Sequence, residues 1–217
     1  LERSIEATLR FAHQSGAWIV PSRPRTAEAT AEKGLPEDLE SLRFALEGCQ
    51  RCNLAAGRTN IVFGVGNPSA EILFVGEGPG ENEDLRGEPF VGRAGELLNK
   101  MIAAIGLARE KVYIANVVKC RPPQNRDPAE EEIQSCLPFL LRQIEIIKPK
   151  AICALGRHAA HSLLKTKAST GELRGKTHDF CGMPLVVTYH PAYLLRSPLE
   201  KRKAWEDLKL LAKTAGL

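Results

Sequence analysis

No apolar run in the 217 residues approaches the ~20 that a membrane span needs, and no signal-peptide pattern is present. A chain anchored in a membrane is thereby set aside, and the cytoplasm is the expected compartment. There is no internal repeat, which removes solenoids and propellers. Charge of neither sign dominates: 30 Lys and Arg stand against 26 Asp and Glu, a net +4. A mildly basic surface suits a nucleic-acid partner without demanding one. Signatures of bound nucleotides are missing too: there is neither a G-x-G-x-x-G nor a glycine loop closed by Lys-Ser/Thr. What remains is an ordinary globular composition, 43% hydrophobic and 26% charged, enough for one core and an appended segment. The chain opens on Leu1 rather than Met, so a trimmed or partial chain is expected.

The appended segment is at the start. Residues 2–16 have helical periodicity, and Pro21, Pro24 and the small, charged run 26–34 read as a linker. This gives an N-terminal helix and linker over 1–35 and a catalytic body over 36–217. In the body, short apolar runs alternate with amphipathic ones. Strands are expected at 72–75, 112–118, 151–155 and 184–188, and helices at 94–105, 156–164 and 198–214. A further helix should start at Asp127-Pro128, as N-cap and N1, with Glu130, Glu131 and Glu132 in its first turn, and end near Ile147. Such alternation predicts a three-layer α/β/α sandwich around a central four-stranded, mainly parallel sheet.

Ligands of such sheets bind beyond the carboxyl ends of the strands. Three segments with polar groups that a core would not need fall there: 76–80, 116–125 and His190-Pro191. In the first, Gly76-Glu77-Gly78-Pro79-Gly80 is followed by Glu81, Glu83 and Asp84, and these carboxylates stand where a phosphate would have to go. Glycines with acids suit close backbone approach to a neutral or cationic group. Phe90, among the small turn residues of Pro89-Phe90-Val91-Gly92, is either a core aromatic or a platform on which a base could stack.

The cysteines form a second pattern. Cys49-x-x-Cys52, Cys120 and Cys136 read as a metal site in a chain with no sign of secretion, and four thiolates suit zinc or an iron–sulfur cluster. A zinc ribbon would repeat the C-x-x-C, which this chain does not. Cys153, in the run AICALG, reads as a small buried hydrophobe; no role is read for Cys181.

The stretch GEGPGENEDLRGEPFVGRAG resembles the first signature of the family 4 uracil-DNA glycosylases, and NVVKCRPPQNRDP and YHPAYLLR resemble the second and third. The likeness runs from about Cys49 to the end, in the family's order. Relatives that bind uracil covalently carry a basic inserted loop ending in histidine after the second strand; here that strand runs straight into Cys120-Arg121-Pro122-Pro123, which implies ordinary turnover. Family 5 relatives lack the combination of acid and asparagine seen here. The resemblance implies excision of uracil from single- or double-stranded DNA by a monomer, and a [4Fe–4S] cluster on Cys49, Cys52, Cys120 and Cys136. No residue specifies a replication-clamp partner.

The implied uracil contacts are Glu77, Gly78, Glu83, Phe90, Asn116 and His190. A carboxamide suits uracil, because its oxygen accepts from N3–H and its NH₂ donates to O4, and Asn116 is the candidate. Phe90 would stack on the ring, and Glu83 would occupy the space near C5 and exclude thymine. Breaking the glycosidic bond builds positive charge on the sugar and negative charge on the base. Glu77 suits the first, His190 as a neutral donor at O2 suits the second, and the family's second motif offers Asn125 as a helper near the sugar. Leu194 or Leu195, read as protruding from a loop, would wedge into the gap left by the flipped base, with Arg196 on phosphate. His158, His161 and His178 read as ordinary surface or core residues. Two other classes remain: a nucleotide-binding oxidoreductase, and a metal-stabilised nucleic-acid-binding module with a degenerate pocket. Glu77, Asn116 and His190 together discriminate against the module, since binding alone needs none of them.

Overall fold

A computed structural model describes residue 32 and residues 34–217; the N-terminal helix at 2–16 and nearly all of the linker lie outside the described residues. Six strands form one sheet: β1 (Val65–Gly66), β2 (Ile72–Gly76), β3 (Tyr113–Asn116), β4 (Ala151–Leu155), β5 (Thr177–Phe180) and β6 (Met183–Thr188). Their order is β1-β3-β2-β4-β6-β5. The inner four pair in parallel and are the four expected. β1 and β5 are antiparallel edges, so the sheet is wider than the expected four strands.

Alternation of side chains across the strands builds two cores. Leu73, Val75, Ala115, Ile152, Ala154, Leu185 and Val187 face one side, where they meet α4 (Glu130–Ile147), α5 (Arg157–Leu164) and α6 (Thr170–Leu173). Ile72, Phe74, Ile114, Cys153, Leu155 and Val186 face the other and meet α3 (Arg93–Ala104), α7 (Pro191–Arg196) and α8 (Lys201–Ala215). Helices on both faces of a sheet buried on both sides make the three-layer sandwich. A smaller cluster of Leu42, Leu46, Phe63 and Phe139 docks α1 (Leu39–Leu46) on α4, and the short α2 (Glu81–Arg86) follows β2. Among the described residues no helix is long and apolar enough to cross a membrane.

Two local expectations change. Helix α4 begins at Glu130, not at Asp127-Pro128, because the Glu132 carboxylate accepts from the Ala129 N–H at 2.7 Å and pairs with Arg126 at 2.6 Å. Asp127 is thereby released from capping. Residues 191–196 are not a loop but the short helix α7, whose Leu194 is 1% exposed in the second core. Leu194 is therefore no surface wedge; Leu195 is half-buried and Arg196 exposed.

Candidate active site

Parallel register sets Gly76 opposite Asn116. The pairing continues past the strands, with Val117 N–H donating to Gly76 O and Val118 N–H to Glu77 O, each at 3.0 Å. Two of the three polar loops thus leave the sheet side by side. The third leaves from β6, where Gly156 N–H donates to Thr188 O at 2.8 Å. A Cβ at Gly156, whose φ is 86°, would stand 2.9 Å from His190 Cβ, so the glycine lets His190 settle against the end of β4.

Asn116 is 1% exposed, and its Oδ1 is buried with no hydrogen-bond partner. A Cβ at Gly76 would overlap that oxygen and stand 2.6 Å from Phe90 Cζ, so amide and ring both lie against the bare face of one glycine. Phe90 and His190 have ring centroids 5.6 Å apart, tilted by 33°. The Phe90 ring, the Asn116 carboxamide and the His190 imidazole are therefore brought together. Phe90 holds a left-handed φ of 54°, uncommon for an aromatic residue. Two features sustain it. Glu83 Oε1 accepts from the N–H groups of Val91 and Gly92, both at 2.9 Å, and Gly95 leaves room for the Phe90 backbone that any Cβ would invade. Glu83 Oε2 also faces Gly80 N–H at 3.1 Å. Its carboxylate is occupied with backbone, so its effect on the pocket runs through the Phe90 turn.

His190 caps α7: its Nδ1 accepts from Ala192 N–H at 3.2 Å. An acceptor Nδ1 leaves the proton of the neutral ring on Nε2. Burial pushes the His190 pKa down to about 4, so the ring is neutral near pH 7. Capping and donation are thus compatible uses of opposite ring nitrogens.

Glu77 has different company. Its Oε2 lies 3.8 Å from His158 Nε2, which lies 3.1 Å from Asp127 Oδ2. Burial, above all, raises the Glu77 pKa. A Cβ at Gly78 would stand 2.6 Å from Val118 Cγ2, so this glycine permits the 77–80 loop to lie on the next one. Asn125 is not drawn into this group. It is exposed, at φ 55°, and its Oδ1 accepts from Arg121 Nε at 2.9 Å.

Cys49, Cys52, Cys120 and Cys136, all free, line one cavity with Leu46, Arg58 and Phe139. Burial raises the Cys120 and Cys136 thiols, the latter to about 12, and the thiols of Cys49 and Cys52 also act on Cys120. Thiolates facing one another in a partly apolar hollow call for a positive group between them. The residues present fit a metal group. A second group of possible ligands, Glu77, Asp127 and His158, has atoms within 4.8 Å of one another. Between this hollow and the pocket runs Lys119, fully buried, whose Nζ donates to Asn116 O at 2.8 Å and Gln143 Oε1 at 2.6 Å. Its backbone N–H faces Cys136 Sγ at 3.3 Å.

Residues 63–209 match the family model of the uracil DNA glycosylase superfamily. A type-4 uracil-DNA glycosylase of Archaeoglobus fulgidus is 44% identical over 83% of this chain and 94% of its own. Those of Saccharolobus solfataricus and Thermotoga maritima are 48% and 50% identical, over 80% and 74% of this chain and 84% and 85% of theirs. The chain belongs to the type-4 uracil-DNA glycosylases.

Within this type-4 glycosylase, the motifs identified Phe90, Asn116 and His190, which meet, and Glu77, at the head of the adjoining loop. They did not identify His158, Asp127 or Lys119. His158 follows an arginine in a helical run and so looks like surface. Asp127 looks like a helix cap, and Lys119 like one more basic residue of a DNA-binding loop. A lysine directly before Cys120 and three residues after Asn116 is the one available signal. Cys153 is buried in β4 as expected, and Cys181 sits exposed in the turn between β5 and β6.

Proposed function

We propose that this chain removes uracil from DNA by hydrolysing the N-glycosidic bond of a flipped nucleotide, leaving free uracil and an abasic site. The carrying observation is the buried, partnerless Asn116 Oδ1 beside the Phe90 ring. A buried acceptor without a donor costs about 1–3 kcal/mol, a cost that the N3–H of uracil would remove and cytosine N3, itself an acceptor, would not. Phe90 stacks on the base. His190 donates from Nε2 to O2 as the C1′–N1 electrons pass to the ring. Glu77, beside Gly78, faces the sugar, stabilises its developing cation and orients the water whose oxygen bonds to C1′ and whose released proton neutralises the uracil anion. Glu83 excludes thymine by fixing the Phe90 turn, and Asn125, whose Oδ1 accepts from Arg121 Nε, is the helper near the sugar. Leu195 is the wedge into the vacated stack and Arg196 holds phosphate. Residues 36–217 make up the catalytic domain.

The four cysteines hold a [4Fe–4S] cluster. A zinc ribbon would repeat the C-x-x-C, whereas here Cys120 and Cys136 come singly, from the loop after β3 and from α4, which suits a cluster. Bound there, the cluster supplies four iron–thiolate bonds that tie the Cys49 segment to the loop after β3 and to α4. Lys119 passes that restraint to the Asn116 backbone.

A labelled oligonucleotide with one deoxyuridine tests the activity. Alkali-labile scission at that site, with free uracil released in equal amount, is expected. An intact strand, or scission without free uracil, contradicts it.

A further inference from the structure

Three ionisable groups, Arg157, His158 and Asp127, converge beside Glu77, and none of the three has been given a task. Arg157 and His158 open α5 directly after Gly156, the residue against which His190 rests. Asp127 comes from the loop before α4. Arg157 Nη2 donates to Asp127 Oδ2 at 2.7 Å and lies 2.9 Å from His158 Nε2, which is 3.1 Å from the same oxygen. Glu77, Asp127 and His158 have the atoms to ligate a cation, but the guanidinium already brings a positive charge onto Asp127. His158 is the least exposed side chain of the set, at 17% against 31% for Glu77 and 64% for Asp127.

We propose that His158, oriented by Asp127, is a positioning residue that holds the Glu77 carboxylate ionised and aimed at the flipped nucleotide. This rests on the role given to Glu77 above. His158 Nε2 stands 3.1 Å from Asp127 Oδ2 and 3.8 Å from Glu77 Oε2, so a positive charge on the ring attracts both carboxylates. The charged groups facing Glu77 are His158 and Arg157 from α5 and Asp127 from the loop before α4. Burial raises the Glu77 carboxyl most; His158 gives the largest opposing pull, Asp127 adds to the rise, and Arg157 lowers it. Partial burial lessens the screening that would cancel such attractions on an open surface. A carboxylate meant to face a sugar cation is useless once protonated, so a buried Glu77 needs a neighbour of this kind. The arrangement also links the two halves of the site, because the turn that seats His190 presents His158.

The test is the pH dependence of single-turnover excision on a deoxyuridine oligonucleotide. Activity falls on the acid side as Glu77 takes up a proton. His158→Ala should move that acid limb to higher pH by ~0.5 unit or more. Asp127→Asn, which removes a repelling charge, should move it to lower pH. His158→Gln, which keeps a donor near the Nε2 position, should restore part of the plateau rate lost in His158→Ala. DNA affinity and melting temperature should change little, which separates aim and ionisation from folding. Acid limbs that do not move, or that move the same way in both variants, overturn the proposal. Glu77→Gln distinguishes the two levels: at wild-type rate it overturns the role of Glu77 itself, whereas a slow Glu77→Gln with an unmoved limb in His158→Ala overturns only that of His158.

Discussion

Asn116 and His190 show how little freedom the key side chains have. Asn116 is enclosed on three sides, by Gly76, by the Phe90 ring and by Lys119 at its own carbonyl. His190 is fixed by one backbone N–H, and that bond chooses its tautomer. Removal of one preorganised donor to a developing anion slows reactions by about 10²–10³. His190→Ala should therefore slow single-turnover uracil excision by that order, with DNA binding kept. Because burial holds its pKa at about 4, wild-type activity should show no inflection from His190 between about pH 5.5 and 8, near the ordinary histidine value. A rate in His190→Ala close to wild type would remove it from the reaction. These residues were legible in the sequence because they sit in motifs with polar groups at strand ends. His158 was not, because what distinguishes it is a neighbour from a loop 31 residues earlier, and spacing along a helix carries no trace of that.

At the scale of elements, the inner strands were legible because they are short apolar runs between polar or amphipathic stretches. The edges were not. β1 has two residues, and β5, Thr-His-Asp-Phe, is mostly exposed and without apolar alternation; an edge strand is defined by its partner more than by its composition. Helix α7 was hidden by its length of six residues, too few to show a period. Its geometry separates two adjacent leucines. Leu194→Ala should cost ~2–5 kcal/mol of stability as a core truncation, readable in chemical denaturation. Leu195→Ala should leave stability nearly unchanged and weaken excision from duplex more than from single strands; the reverse assignment would refute the helix. Gly76 tests the join of β2 and β3. Gly76→Ala pushes a methyl into Asn116 Oδ1 and the Phe90 ring, and a misplacement of about 1 Å costs on the order of 10²-fold in rate. Circular dichroism should stay unchanged, since the residue's φ is not left-handed. Undiminished excision would mean that amide and ring do not share this surface.

Across the whole molecule, the cysteine hollow and the uracil pocket stand at opposite ends of the segment from Asn116 to Cys120, with Lys119 between them. The purified protein should be brown and hold four irons on cysteine. Cys120→Ala should lose the colour, lower the melting temperature and slow excision, whereas Cys153→Ala should keep colour and excision. A colourless protein with one zinc would contradict the cluster. The sequence displayed the four cysteines but not what lies behind them, since only the folded chain runs a buried lysine from that hollow to the Asn116 carbonyl.

The central claim is that Asn116 reads uracil from a pocket floored by Gly76 and walled by Phe90 and His190. Single-turnover excision by wild type and Asn116→Ala tests it most directly, on oligonucleotides identical except for one uracil, cytosine or thymine. Wild type should release uracil and leave the other two. Asn116→Ala should remain folded and bound to DNA yet lose uracil excision by ~10-fold or more, the equivalent of one lost buried hydrogen bond. Uracil excision by Asn116→Ala at the wild-type rate and with the wild-type selectivity would contradict the account.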